Sequence, residues 1–135
     1  MIAAICAWHE HHDSSAAAIE KRLAVGEDLV VAGPALVEAY SVLTRLPAPH
    51  RLSPEAARDL LAANFMKRPP VALDGRAYQR LVRRAPDEDI AGGRTYDAVI
   101  AACAIKAKVA RLLTLNERHF AAFADRLEII LAAKG

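Results

Sequence analysis

The sequence predicts an α/β protein in which a parallel sheet is covered by helices on both faces. Short apolar runs alternate along the chain with longer segments that begin with helix-starting residues such as Ser, Asp and Pro. The chain has 135 residues, 54% of them hydrophobic, and no linker, repeat or low-complexity run divides it. We therefore predict a single domain over residues 1–135 with a substantial apolar core.

The first two predicted helices carry residues that stabilise a first turn. Residues 13–15, Asp-Ser-Ser, are cap-type residues ahead of a helix that runs to Leu23 and closes near Gly26. The pair Gly33-Pro34 opens a second helix, over residues 34–46, because proline is tolerated where a first-turn N–H has no intrahelical partner. Both helices are therefore predicted with defined starting points.

Two further helices are predicted from side chains that accept a hydrogen bond from a first turn. Ser53 precedes Pro54 and caps a helix that runs to about Phe65. Asp74 caps a helix over residues 75–84. After a polar loop over residues 86–93, a fifth helix is predicted over residues 95–108.

Four short apolar runs between these helices are typical of buried parallel strands. They are residues 29–32, 71–73, 112–114 and 127–130; residues 1–7 are predicted to end another buried element, and residues 119–122 to form a helical turn. Ligands of such sheets collect outside the carboxyl ends of the strands. Polar side chains that follow a strand, directly or on the next helix, are therefore candidates for a site.

Three polar side chains lie at such places. Glu38 is on the helix after the first of these strands, Asp97 is in the first turn of the fifth helix, and Asn116 follows residues 112–114. Taken alone, Asp97 is equally well explained by the helix dipole, an effect of about 0.3 to 1 kcal/mol. Glu38 alone suits a solvent-facing charge, but its apolar neighbours predict little solvated surface around it. Carboxylate and amide oxygens are ligands that suit Mg²⁺ and Mn²⁺.

These segments resemble the PIN-domain ribonucleases, and most closely the VapC toxins of bacterial toxin–antitoxin pairs. The family places a Glu on the helix after the second strand and an Asp in a Tyr-Asp-Ala context on a later helix, and Glu38 and Tyr96-Asp97-Ala98 match these positions. The similarity extends through Gly92-Gly93-Arg94 and Thr114-Leu115-Asn116 to His119-Phe120.

The resemblance implies a three-layer α/β/α fold and a metal-dependent endoribonuclease. Glu38 and Asp97 would bind Mg²⁺ or Mn²⁺, Asn116 would be an auxiliary ligand, and metal-activated water would attack the RNA phosphate. A homodimer and a VapB-like antitoxin partner are also implied. Residues 1–8 are apolar but too short to span a bilayer, and they lack the basic start of a secretion signal, so we predict a cytoplasmic protein without a membrane segment.

One part of the family pattern has no counterpart in this chain. The family's first acid lies in an Asp-Thr-Ser or Asp-Thr-Asn motif that ends an N-terminal strand, whereas this sequence begins Met1-Ile2-Ala3-Ala4-Ile5. We expect the natural chain to start further upstream and to include that strand, so the N-terminal strand is truncated here. The alternative is a catalytically incomplete PIN domain that only binds antitoxin or RNA.

The net charge is a weak guide to partners, because 18 basic residues balance 16 acidic ones to leave +2. Arg94 and Arg118 lie close in sequence to proposed site residues, so each is a candidate for a bidentate phosphate contact. Other basic residues are more typical of solvated helix faces: Lys67, Arg68, Arg80, Arg83 and Arg84.

Two further groups of residues have simpler interpretations. Cys6 and Cys103 lie in apolar runs and are predicted to be buried, reduced thiols, which fits a cytosolic compartment. Residues 9–13, His-Glu-His-His-Asp, lack both a Cys framework and the His-Glu-x-x-His spacing of zinc proteases. They are predicted to be a solvated helix start.

Overall fold

In the computed structural model of this chain, residues 6, 8–109, 111–114 and 128–131 are described, with backbone only for residues 113, 114 and 129–131. The elements in these ranges are α1 (His12–Ala24), α2 (Gly33–Arg45), α3 (Pro54–Phe65), α4 (Gly75–Arg84), a 3₁₀ helix (Ala85–Glu88), α5 (Arg94–Lys106), β1 (Arg111–Thr114) and β2 (Glu128–Leu131). The chain divides into two compact units. Unit 1 (Met1–Pro70 with Ala132–Gly135) contains α1 to α3, and unit 2 (Val71–Leu131) contains the other elements.

The core of unit 1 forms where α2 packs against α3. Its buried residues recur four apart on each helix, a spacing that places side chains on one stripe: Ala39 and Leu43 on α2, and Ala57, Leu61 and Phe65 on α3. The buried Cys6 belongs to the same cluster. The loop between the two helices is held by a backbone hydrogen bond in which the Leu52 N–H donates to the Leu43 carbonyl at 3.0 Å.

Two of the predicted helix caps are confirmed. The Ser53 hydroxyl accepts a hydrogen bond from the Ala56 N–H at 3.1 Å, and the Asp74 carboxylate accepts one from the Ala77 N–H at 2.8 Å. Each bond satisfies a first-turn N–H that has no partner within its helix. Gly26, with φ of +87°, ends α1 as predicted, because this left-handed conformation costs glycine little.

The predicted cap of α1 is wrong. The residue that precedes the helix is His11, which makes no side-chain cap bond, and Asp13, Ser14 and Ser15 lie inside the helix. The Ser14 hydroxyl donates to the His11 carbonyl at 3.2 Å, so it does not serve as a cap acceptor there. Cap-type residues favour a helix start nearby, but the sequence does not determine which of several candidates will cap it.

Unit 2 is organised around α5, whose buried residues occur along its whole length: Ala98, Val99, Ala101, Cys103 and Ala104. α4 lies against α5 with Leu81 buried. The Lys106 ammonium, at the end of α5, donates a hydrogen bond of 2.7 Å to the Ala72 carbonyl. This bond connects the end of α5 to the segment that leads into α4.

The predicted strands are confirmed over residues 112–114 and 128–130, and residue 127 lies outside the described residues. β1 and β2 are parallel, and Arg111 is opposite Glu128 in the register. The Arg111 Nε lies 2.8 Å from the Glu128 Oε2, so the first residues of the two strands form an ion pair across the ladder. Helices together with a parallel pair of strands place the described part of the chain in the α/β class.

Strands predicted over residues 29–32 and 71–73 are not present in this structure. Ala32 and Val71 each form a single-residue bridge, and the other residues of these runs have no regular secondary structure. Leu29 and Val30 are also exposed, whereas a buried strand was expected. An apolar run favours an extended backbone, but a strand exists only where another strand supplies its hydrogen bonds.

None of the described helices is long and apolar enough to cross a membrane. The longest have 13 residues, and a span needs about 20 consecutive apolar residues.

Replacing Leu43 by Ala should destabilise the protein by about 2 to 5 kcal/mol, because a fully buried side chain is lost and a cavity is left in the core of unit 1. The measurement is the free energy of unfolding from urea denaturation. Val37→Ala is a matched control on the same helix, since Val37 is 69% exposed; its effect should stay within about 0.5 kcal/mol. Equal losses of unfolding free energy in Leu43→Ala and Val37→Ala would contradict the conclusion that Leu43 belongs to the core of unit 1.

Candidate functional site

Glu38 lies in the second turn of α2 with its side chain exposed. The side of α2 that packs against α3 carries Ala39 and Leu43, so the helix directs Glu38 away from the core of unit 1. The expectation that its apolar neighbours leave little solvated surface is wrong, because Val37 is itself mostly exposed. Glu38 is thus a surface carboxylate on a helix whose opposite side is firmly packed.

Asp97 lies in the first turn of α5 and is half-buried. The turn before it contains Gly92, whose φ of +59° is costly for residues with a Cβ. Ala98, Val99 and Ala101 follow Asp97 and are buried, which fixes this end of the helix within unit 2. The carboxylate is therefore held near the positive end of the helix dipole, a favourable place for a negative charge.

Arg94 is the first residue of α5 and is exposed. It precedes Asp97 by three residues, a spacing that places two side chains on the same side of a helix. A guanidinium and a carboxylate are thus presented together at one helix end. The position of Arg94 is consistent with its predicted phosphate contact, which remains a prediction.

Asn116 and Arg118, the other two predicted site residues, lie outside the described residues. Their predicted roles as auxiliary ligand and phosphate contact remain predictions. In the part of the chain that the structure describes, no group of three or more His, Cys, Asp or Glu side chains is placed to hold a metal ion. Glu38 belongs to unit 1 and Asp97 to unit 2.

The His-rich start of α1 makes local contacts. The His9 Nδ1 accepts a hydrogen bond from the His11 N–H at 3.1 Å, and the His11 Nε2 lies 3.5 Å from the Glu10 carboxylate. The Trp8 ring stacks on the His50 ring with their centroids 4.2 Å apart. These contacts connect the segment before α1 to the loop before α3.

Both cysteines are free and buried, as predicted. Burial raises the pKa of the Cys6 thiol and that of the Cys103 thiol above their ordinary value of 9.0, because an apolar environment disfavours the thiolate. A protonated buried thiol is a poor metal ligand and a poor nucleophile. Neither cysteine is a candidate for catalysis.

Arg76 is an exposed basic residue that was not among the predicted site residues. It lies one turn before Arg80 on α4, and Arg83 follows at the next turn. The sequence already indicates that these three arginines share one side of a helix, because they are spaced by four and then three residues.

Comparison with known protein families and proteins shows what this chain is similar to. The family model of the PIN domain matches residues 1–126 of the chain. Ribonuclease VapC40 of Mycobacterium tuberculosis, from strain CDC 1551 / Oshkosh and from strain ATCC 25618 / H37Rv, is 36% identical over 133 residues, which are 96% of this chain and 90% of the relative. Ribonuclease VapC27 of Mycobacterium tuberculosis strain ATCC 25618 / H37Rv is 35% identical over 116 residues, 86% of this chain and 72% of the relative. No solved structure matches the chain significantly.

The raised pKa of Cys103 predicts a loss of stability at high pH. Above pH 9.0 the thiol ionises more readily in the unfolded chain than in the folded one. Its contribution to stability is therefore complete below that pH and declines as the pH rises towards the folded-state pKa. Urea denaturation below and above pH 9.0 should show a steeper decline for the wild-type protein than for Cys103→Ala. Parallel declines would contradict the prediction.

Proposed function

Since the chain belongs to the PIN domain family, we propose that it is a VapC-like toxin, a metal-dependent endoribonuclease. The observation that carries this proposal is 36% identity to a ribonuclease VapC over 96% of the chain. We propose further that residues 1–135 form one domain with the three-layer α/β/α arrangement of the family, in which β1 and β2 belong to a larger parallel sheet. The parallel pairing of these two strands supports that arrangement.

We propose Glu38 and Asp97 as the ligands of Mg²⁺ or Mn²⁺, with Asn116 as an auxiliary ligand. The donor chemistry fits these ions, because both prefer hard oxygen ligands and both carboxylates reach the surface of their units. The softer thiolate ligands are excluded by the burial of Cys6 and Cys103. Each carboxylate is on a helix with buried residues beside it, which supports a fixed position for the ligand.

A bound divalent ion supplies two effects in such a site: it lowers the pKa of water, and it neutralises charge on a scissile phosphate. The side chains of this protein would bind the cation and orient the RNA. Glu38 and Asp97 provide the negative charge that holds the cation. Arg94, which precedes Asp97 by one helical turn, would bind a phosphate oxygen of the RNA and orient it, and Arg118 is proposed for the same role.

A second candidate function is a PIN domain that binds RNA or antitoxin without cleaving RNA. It is favoured by one observation: the candidate ligands that match the family pattern are two carboxylates, Glu38 and Asp97, and one amide, Asn116. Two carboxylates and an amide would hold a divalent ion more weakly than a larger acidic set, because each missing charge lowers the attraction. Metal-dependent turnover separates the two functions.

The nuclease proposal predicts that Asp97→Asn lowers RNA cleavage by about 100-fold or more, because even residues that only support a metal ligand typically contribute about 10- to 100-fold. Glu38→Gln should have a similar effect. The measurement is the initial rate on total cellular RNA with Mg²⁺ or Mn²⁺, and EDTA should abolish it. Asp87→Asn, the same chemical change at an exposed position of the 3₁₀ helix, is the matched control and should cleave normally.

Cleavage that persists in EDTA, or that is equal in Asp97→Asn and Asp87→Asn, would overturn the proposed mechanism. If wild-type protein with either metal does not cleave RNA but still binds it, the second candidate function is supported.

We propose a VapB-like antitoxin and a second copy of the chain as protein partners, in the cytoplasm. Exposed apolar side chains on α2, Val37 and Tyr40, support the presence of a covering partner, and two free thiols suit a reducing compartment. Light scattering should give twice the chain mass of 14.6 kDa for the protein alone. A monomer at micromolar concentration would contradict the homodimer.

A further inference from the structure

The solvent side of α4 carries three arginines that together form what we call the arginine stripe: Arg76, Arg80 and Arg83. At about 100° per residue these side chains lie within about 60° of one another around the helix, and they extend over about 10 Å of its axis. Leu81 is buried on the other side of the helix. All three guanidinium groups therefore point away from the packed part of unit 2.

The arginines of the stripe have no acidic partner among the described residues, unlike several other arginines of the chain. Arg58 is 2.9 Å from Asp59, and Arg68 is 3.1 Å from Asp28. On α4 itself, Arg84 is 3.5 Å from Glu88. Three acids flank the stripe in sequence. Asp74 accepts the cap hydrogen bond from Ala77, Glu88 pairs with Arg84, and the exposed Asp87 forms no ion pair with a described residue.

The stability of α4 accounts for only one of the three arginines of the stripe, Arg83. A cation in the last turn interacts favourably with the helix dipole, which accounts for Arg83 and Arg84. Arg76 is in the first turn, where the same dipole disfavours a cation. Arg76 and Arg80 are four residues apart, and Arg80 and Arg83 three apart, so neighbouring guanidinium groups repel one another. A polyanion bound along the helix would relieve this repulsion.

We propose that the arginine stripe is a phosphate-binding surface that holds the backbone of single-stranded RNA without reading its bases. The identity of the polyanion rests on the proposed function, whereas the surface itself rests on the geometry and charge of α4. Arginine suits this role because its planar guanidinium binds two phosphate oxygens at once. No aromatic residue lies within the stripe, so recognition by base stacking is not part of the proposal.

The test is the salt dependence of RNA binding. Fluorescein-labelled oligouridine is titrated with the full chain in EDTA, so that no metal-dependent cleavage occurs, at several KCl concentrations between about 50 and 200 mM. The triple variant Arg76→Gln, Arg80→Gln, Arg83→Gln should bind more weakly at low salt. Its slope of log affinity against log salt should be flatter by about 2, since each phosphate contact on a single strand contributes about 0.7.

The matched control removes three arginines from unit 1: Arg45→Gln, Arg58→Gln, Arg68→Gln. It has the same net charge as the stripe variant, so it separates loss of contacts from loss of overall charge. A third variant, Arg76→Lys, Arg80→Lys, Arg83→Lys, keeps the charge and loses the bidentate geometry. It should keep the wild-type slope but bind more weakly. Circular dichroism and thermal melting should show all three variants folded.

Wild-type protein that fails to bind oligouridine at low salt, or a stripe variant whose slope equals that of the control, would overturn the proposal. A second titration uses oligoglutamate in place of RNA. If the stripe variant binds oligoglutamate more weakly than the wild-type protein but binds RNA equally well, the proposal is overturned and the stripe is assigned to an acidic protein partner. Because the titration is done in EDTA, its result does not depend on catalysis. An absence of cleavage would count against the nuclease function alone. A salt slope in the stripe variant equal to that of the wild-type protein would count against the arginine stripe alone.

Discussion

Each candidate acid is held in place by apolar residues that are buried directly after it on the same helix. Glu38 is followed by Ala39 and Leu43, which pack α2 against α3, and Asp97 is followed by Ala98 and Ala101, which are buried in unit 2. A cation site needs carboxylates at fixed positions, because a mobile ligand must be ordered when the ion binds. Core packing in both units is therefore a condition for the proposed chemistry.

Within unit 2, the two helices with proposed functions are connected by specific contacts. α4 lies against α5, and the Lys106 ammonium at the end of α5 donates to the Ala72 carbonyl just before α4. β1 follows α5 closely, and the Arg111–Glu128 ion pair links it to β2 at the first residues of the ladder. The arginine stripe and Asp97 thus belong to one packed body, so an RNA held on α4 would be held on the same unit that carries a proposed metal ligand.

Charge is distributed unevenly in this protein, although the net charge is only +2. Of the acids next to α4, Asp74 caps the helix, Glu88 pairs with Arg84, and Asp87 forms no ion pair with a described residue, so the three arginines on the solvent side keep their positive charge. A uniform scatter of the same residues would give similar solubility but no local field. The small net charge therefore conceals a basic surface, and composition is a poor guide to a polyanionic partner here.

Local signals in the sequence predict the α/β class, the helix starts at Ser53 and Asp74, and the end of α1 at Gly26; Glu38 and the Tyr96-Asp97-Ala98 motif indicate the family. These features depend on residues close together in the chain, because a cap is a hydrogen bond across three residues. The folded structure was needed to show that residues 29–32 and 71–73 are not strands, that Val37 is exposed, and that Arg76, Arg80 and Arg83 have no acidic partner among the described residues. Strand pairing, burial and charge compensation are set by neighbours in space, which can be far away in the chain.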